Sequence, residues 1–132
     1  MKVLYPNILI PVDGSQQSIN AFKNGIEQAK AWGSKVYLVQ VLSNENVGLN
    51  IEERKSFLKA LEDYAEQRGV KATTELVYGD PRKKIASELV DQWDIDLIII
   101  GATGKGRIAK MVVGSVTNYV IRHANCNVLV SR

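Results

Sequence analysis

Apolar positions along this chain fall into two alternating kinds of run: short continuous stretches and longer stretches with helical spacing. Asn7-Ile-Leu-Ile-Pro-Val12 is the first short run and predicts a strand that ends at Asp13-Gly-Ser15. Ile19, Phe22, Ile26 and Ala29 then recur at spacings of three, four and three, which is one face of a helix, and Gly33 stops it. Lys35–Leu42 is β-branched and mostly apolar, a second strand, and Ser43–Asn50 is a polar surface loop. From Ile51 to Arg68 a second helix carries Phe57, Leu58, Leu61, Tyr64 and Ala65 on its apolar face, and Gly69 closes it. Ala72–Tyr78 predicts a third strand. Gly79-Asp-Pro81 turns into a third helix with Pro81 at its first position and Ile85, Ala86, Leu89 and Val90 as its buried stripe. Asp96-Leu-Ile-Ile-Ile100 has the unbroken apolar character of a strand covered on both faces. Val112, Val116, Tyr119, Val120 and His123 predict a helix from about Gly114 to Ala124, and Asn127–Ser131 is a fifth strand.

Strands alternating with helices at this regular spacing imply an α/β fold: an open five-stranded parallel sheet, helices on both faces, joined by right-handed crossovers. The expected organisation is one domain over residues 1–132. With strand order 3-2-1-4-5, the order reverses between the first and fourth strands, and ligands of such sheets bind at that reversal, beyond the carboxyl ends. Asp13 ends one of those two strands and Gly101 the other, so both are expected at one crevice.

The stretch between the fourth strand and the fourth helix carries the densest chemistry. Gly101, Gly104 and Gly106 are interleaved with Lys105, Arg107 and Lys110, and Gly114-Ser115 opens the helix. Glycines there let N–H groups converge and leave no Cβ in a ligand's way, while a helix start offers free donors and a positive dipole end. This is the layout of a phosphate cradle. A plainer reading stands beside it, in which glycine serves only the turn and Ser115 is an N-cap. A Walker A motif fails, because Gly104-Lys105 is followed by Gly106. Gly104-Lys-Gly106-Arg-Ile-Ala109 matches a dinucleotide pattern, but no acidic residue follows where a ribose would need one, near Leu129. Asp13, with Gln16 three residues on, reads either as a helix cap or as a carboxylate for a ribose hydroxyl or a phosphate-bound metal. Val41, at the end of the second strand, is either core or a backbone edge for an adenine.

Composition narrows the partners. The formal charge of +3, from 17 basic and 14 acidic residues, is too mild to suggest nucleic acid binding without a concentrated basic face. Arg82-Lys83-Lys84 reads as a solvated helix start. A single cysteine, Cys126, excludes an internal disulfide and reads as a packed thiol. No apolar run reaches the length of a membrane span, and Pro6, Pro11 and Asp13 do not suit a signal peptide, so a soluble cytoplasmic protein is expected.

Taken together, Gly101-x2-Gly104-x9-Gly114-Ser115, Val12-Asp13-Gly14-Ser15 after the first strand, and Arg122-His-Ala-x-Cys-x-Val-Leu-Val130 resemble the universal stress protein family over essentially the whole chain. The glycine pattern resembles its ATP-binding branch. The resemblance implies a Rossmann-like fold of the adenine nucleotide alpha hydrolase-like kind, with ATP as ligand and Mg²⁺ or Mn²⁺ alongside. By position, Pro11, Val12 and Asp13 would line the adenosine end, with Asp13 near the ribose, phosphates and metal and Ser15 close by. Val41 would contact adenine and Gly101 the ribose, next to Ala102. Gly104, Gly114, Ser115 and Val116 would hold phosphates, with Lys105 and Arg107 as cations of the loop. The family pairs through its last strand, so Asn127–Ser131 would be the edge of a homodimer; an exposed final strand is also a natural pairing edge on physical grounds. Members often carry prolines around the final cysteine, where this chain has Asn125 and Asn127, and many carry a histidine in the second strand, where it has Gln40.

Hydrolysis at a γ-phosphate needs a positioned base as well as a cradle. Asp13 is the sole carboxylate expected in the crevice, and His123, the only histidine, falls near the far end of the fourth helix. The leading expectation is therefore a binding module, a homodimeric stress-response protein whose ATP occupancy changes its stability or partner surface. The alternatives are a slow ATP hydrolase or ATP-using enzyme on the same cradle, and a nucleotide-free scaffold dimer.

Overall fold

The computed structural model describes residues 4–43, 50–102 and 114–132. Five parallel strands lie in the order β3-β2-β1-β4-β5: β1 (Asn7–Pro11), β2 (Lys35–Leu42), β3 (Ala72–Tyr78), β4 (Leu97–Gly101) and β5 (Asn127–Ser131). The helices are α1 (Gln16–Trp32), α2 (Ile51–Gln67), α3, which runs through Pro81–Lys83, Lys84–Glu88 and Leu89–Gln92, and α4 (Ser115–His123). The order and the alternation are those expected from the sequence.

Each face of the sheet has its own core. Ile8, Ile10, Val36, Leu38, Leu97 and Ile99 point to one side, where α1 and α2 cover them with Phe22, Ile26, Ala29, Leu58, Leu61 and Ala65. Leu9, Val39, Ile98 and Ile100 point to the other, under Ile85, Leu89 and Val90 of α3 and Val120 of α4. A strand clothed on both faces has no polar alternation to show, which is why all five residues of β4 are buried.

Local chemistry fixes the helix ends. Ser15 caps α1, its hydroxyl accepting from Ser18 N–H at 3.1 Å. This corrects the cap reading of Asp13, which lies two residues earlier and instead accepts from Ser15 N–H at 2.9 Å, an Asx turn that leads into the cap. Gly33 ends α1 at φ +72°, a left-handed conformation that glycine adopts without a Cβ penalty. Asp80 caps α3 and Pro81 is its first residue. The middle of α3, Lys84–Glu88, is wound as a π turn, with Leu89 N–H reaching back to the Lys84 carbonyl. Within that turn the Ala86 carbonyl accepts from Asn125 N–H at 3.0 Å, which ties the far end of α4 to α3.

Strand lengths open the sheet at one point. β1 pairs with β4 only at Ile8↔Leu97 and Leu9↔Ile98. Outside that pair, β2–β3 pairing continues to Leu42↔Tyr78 and β4–β5 pairing to Gly101↔Ser131. Pro11, which has no N–H to give, ends β1 there, and the carboxyl ends of β1 and β4 part into a crevice.

Other residues singled out in the sequence lie outside the crevice. Cys126 packs against the α3–α4 core and its thiol is pushed up to about 11, chiefly by burial, with the Asp96 charge adding to it and a hydrogen bond from the Ile98 backbone opposing. His123 is exposed at the carboxyl end of α4, its ring 4.4 Å from that of Tyr119. Arg82 and Lys83 are solvated as expected, and Lys84 reaches Glu88 at 3.7 Å. Among the described residues no helix is long and apolar enough to cross a membrane.

Candidate functional site

The crevice between β1 and β4 is a cavity of about 310 Å³. Pro11, Val12 and Asp13 come to it from the end of β1, Val41 from the end of β2, and Ile100 and Gly101 from β4. Gly114, Ser115, Val116 and Thr117 bring the first turn of α4, Ser18 the first turn of α1, and Pro81 and Ile85 the inner face of α3. Asp13, Gly101 and Gly114-Ser115, distant in sequence, therefore meet at the reversal of strand order, as the topology requires.

The first turn of α4 is the most distinctive wall. Gly114 is its N-cap, at φ −62° and ψ 159°, and among the described residues no side chain caps the helix. Ser115 is thus the first helical residue and not the cap. The opening N–H groups of a helix have no partners within it, so an uncapped start facing a cavity presents donors and the positive end of the dipole to whatever occupies that cavity. Gly114 φ is one that any residue adopts; the backbone angle does not demand glycine there.

Two hydrogen bonds hold this turn in place. Gly114 N–H donates to the Ala102 carbonyl at 2.9 Å, and the buried Thr117 hydroxyl donates to the Gly101 carbonyl at 2.7 Å. Ala102 N–H in turn donates to Ser131 of β5 at 2.9 Å. The two ends of the segment 103–113 are so fastened to each other and to the sheet. Gly104, Lys105, Gly106, Arg107 and Lys110 lie in that segment, outside the described residues.

Asp13 stands opposite, half-buried, its N–H donating to Ser18 Oγ at 3.3 Å and its Oδ1 engaged by Ser15 N–H. Ser18 Oγ donates to the Ser15 carbonyl at 2.9 Å, so Ser18 braces the whole β1–α1 turn. Asp13 is the only ionisable side chain among the described residues of the wall. Ser15 and Ala102 do not line the cavity: one is spent as the α1 cap, the other on the bond to Gly114. Gly101 has a reason of its own to lack a side chain, since a Cβ there would sit 3.2 Å from the Gln17 carbonyl oxygen of α1.

Ser18, Ile100, Thr117, Pro81 and Ile85 were not expected at the site. Thr117 falls one helical step inside a predicted helix start and could have been suspected; Ile85 reads as one member of a core stripe. The wall combines two kinds of group. Pro11, Val12, Val41, Pro81, Ile85, Ile100 and Val116 are apolar, while Asp13, Ser18, Ser115, Thr117 and the α4 N-terminus are polar. Such a cavity can take an elongated molecule with a flat apolar part and an anionic part.

Comparison with known proteins gives the same direction. The family model described as the universal stress protein family matches residues 4–132. A universal stress protein of Methanocaldococcus jannaschii is 37% identical over 140 residues, covering 96% of this chain and 82% of its own. The structure of UspA from Lactobacillus plantarum superposes with a TM-score of 0.88 at 29% identity, covering 97% of this chain and 98% of that one. A universal stress protein solved in complex with cAMP superposes with a TM-score of 0.78 at 26% identity, covering 97% of each chain. This chain belongs to the universal stress protein family.

Proposed function

We propose that the chain binds an adenine nucleotide, ATP in the first place, in the crevice between β1 and β4, and works as a nucleotide-dependent homodimer in a cytoplasmic stress response. The observation that carries this reading is the N-terminus of α4, without a side-chain cap among the described residues, at a cavity whose wall also carries apolar side chains. Phosphate groups belong on the helix start and a base against the apolar side chains. The cAMP complex of a relative supports the same ligand class. Asp13 would accept from a ribose hydroxyl or share a Mg²⁺ or Mn²⁺ ion with the phosphates, and Ser115, Gly114 and Val116 would hold phosphate oxygens. Lys105, Arg107 and Gly104 would complete the cradle. A divalent ion would neutralise phosphate charge; the protein's share is to position the ligand by these donors.

Turnover has little support in the wall. Among the described residues of the wall Asp13 is the one ionisable group, and its Oδ1 accepts a hydrogen bond in the Asx turn. Binding is therefore the proposed activity.

Thermal unfolding with Mg-ATP, AMP and cAMP, against GTP as control, tests the reading. Ligand at a hundred times its dissociation constant stabilises by about 2.7 kcal/mol. That raises the midpoint by roughly ten degrees for a domain of this size. The adenine nucleotides should produce the shift and GTP should not. If none does at millimolar concentration, and extraction finds no nucleotide carried through purification, the crevice is not a nucleotide site.

A further inference from the structure

Ile85 lines the cavity although it belongs to a buried core stripe, and it stands one helical turn after Pro81, which lines it too. Val41, another apolar residue of the wall, comes from a different element and packs in the same apolar cluster as Ile85. None of these three carries a hydrogen-bonding side chain. A planar heteroaromatic ring is the part of a nucleotide that gains from a wall of this kind.

The backbone beneath Ile85 is also unusually well held. Pro81 sets φ at the first position of α3, the Asp80 side chain caps it, and the π turn Lys84–Glu88 contains Ile85 itself. One residue further, the Ala86 carbonyl accepts from Asn125 N–H at 3.0 Å. Single π turns inside helices recur at functional sites, where the extra residue alters which side chains face inward. Here the turn lies directly against the cavity.

We infer that Ile85 is a specificity-determining residue for the base: its side chain forms the wall against which the ring lies and limits how large that ring can be. This rests on the nucleotide reading of the crevice and adds to it the residue that measures the base.

The test is binding of ATP and of ATP analogues enlarged at N6, C2 or C8, measured by calorimetry on the wild-type protein and on Ile85→Ala, Ile85→Val and Leu89→Ala. Leu89 is as buried as Ile85, lies one turn further along α3, and does not line the cavity. It therefore reports what a purely structural loss does. Wild type should bind ATP and reject the enlarged analogues. Ile85→Ala should bind ATP about tenfold more weakly and accept at least one enlarged analogue about tenfold better than wild type, with Ile85→Val between them. Leu89→Ala should leave the preference unchanged. Equal loss of ATP and every analogue in Ile85→Ala and Ile85→Val, or no change in either, overturns the role of Ile85 while the nucleotide site stands. If Ile85→Ala does not fold, the milder Ile85→Val decides by the same criterion. Wild type that binds no adenine nucleotide overturns the nucleotide reading and this role with it.

Discussion

At the scale of single residues, two glycines of the motif have turned out to serve different masters. Gly101 reads in the sequence as a place where a ligand approaches the backbone. In the fold the space a Cβ would need is taken by α1, whose Gln17 carbonyl oxygen is 3.2 Å from that position. Gly101→Ala should therefore act on stability, costing about 1–3 kcal/mol through overpacking. The expected reading is a lower unfolding midpoint with ATP affinity within about threefold of wild type at 25 °C, the logic being that the methyl points at α1. A collapse of affinity at an unchanged midpoint would return Gly101 to the ligand. Gly114 is the opposite case: no angle demands it, and it lines the cavity. Asp13 was legible as important but not in its detail. Spacing to Gln16 suggests a cap, whereas Ser15, which can reach Ser18 N–H, takes that role. Sequence spacing cannot separate two cap-forming residues only two positions apart; the turn geometry does. Gln40 is a further residue that composition did not explain, buried with its side-chain carbonyl oxygen lacking a hydrogen-bond partner among the described residues.

At the scale of elements, most boundaries follow from pattern alone. β2, β3 and β5 have the limits that their apolar runs predict, and Pro81 starts α3. The π turn of α3 has no such signature, because it is a difference in hydrogen-bond partner and not in residue type. Ile85 was hidden for the same reason, since a core stripe and a cavity wall are both apolar. The link that matters most between elements is that of β4 to α4. Thr117, buried in the first turn of α4, gives its hydroxyl proton to the last carbonyl of β4 at 2.7 Å. Thr117→Val keeps the shape and strands that carbonyl, which should cost about 1–3 kcal/mol. Since the bond also aims the helix start into the cavity, ATP affinity should fall in Thr117→Val and recover in Thr117→Ser. Urea denaturation and calorimetry on the pair check both statements, and a Thr117→Val protein as stable and as tight-binding as wild type would remove the link. The family resemblance placed prolines near Asn125; an asparagine there supplies the N–H that Ala86 accepts, a bond proline cannot make.

At the scale of the whole molecule, β5 is an edge strand of the sheet. Among the described residues it pairs with β4 alone, and Leu129 on β5 and Ile121 on α4 are 41% and 47% exposed. An unpaired strand flanked by exposed apolar side chains favours association with a second copy. In the proposed homodimer, Leu129→Lys should shift sedimentation from dimer towards monomer without lowering the unfolding midpoint of the monomer; a dimer that Leu129→Lys leaves unchanged would place the interface elsewhere, and a wild-type monomer would remove the proposal. The overall architecture was readable because every crossover needs a helix and every buried strand an apolar run. What was not readable is the way the starts of β1 and β4 are locked. Asn7 N–H donates to Asp96 Oδ2 at 2.8 Å, and Asp96 N–H donates back to the Asn7 carbonyl at 2.8 Å. Asn7 Nδ2 also reaches the carbonyl of Asp94, a residue at φ +52°. This clasp joins the first strand to one that comes much later, and it has a consequence for how the protein is made. Until β4 leaves the ribosome, β1 has a neighbour on only one side, and Ile8 and Ile10 lack the Leu97 and Ile99 that complete their layer. Long-range closure of this kind slows folding. The growing chain holds an apolar segment without its partner until β4 is made, and unpaired segments of this kind are the ones that expose a chain to aggregation.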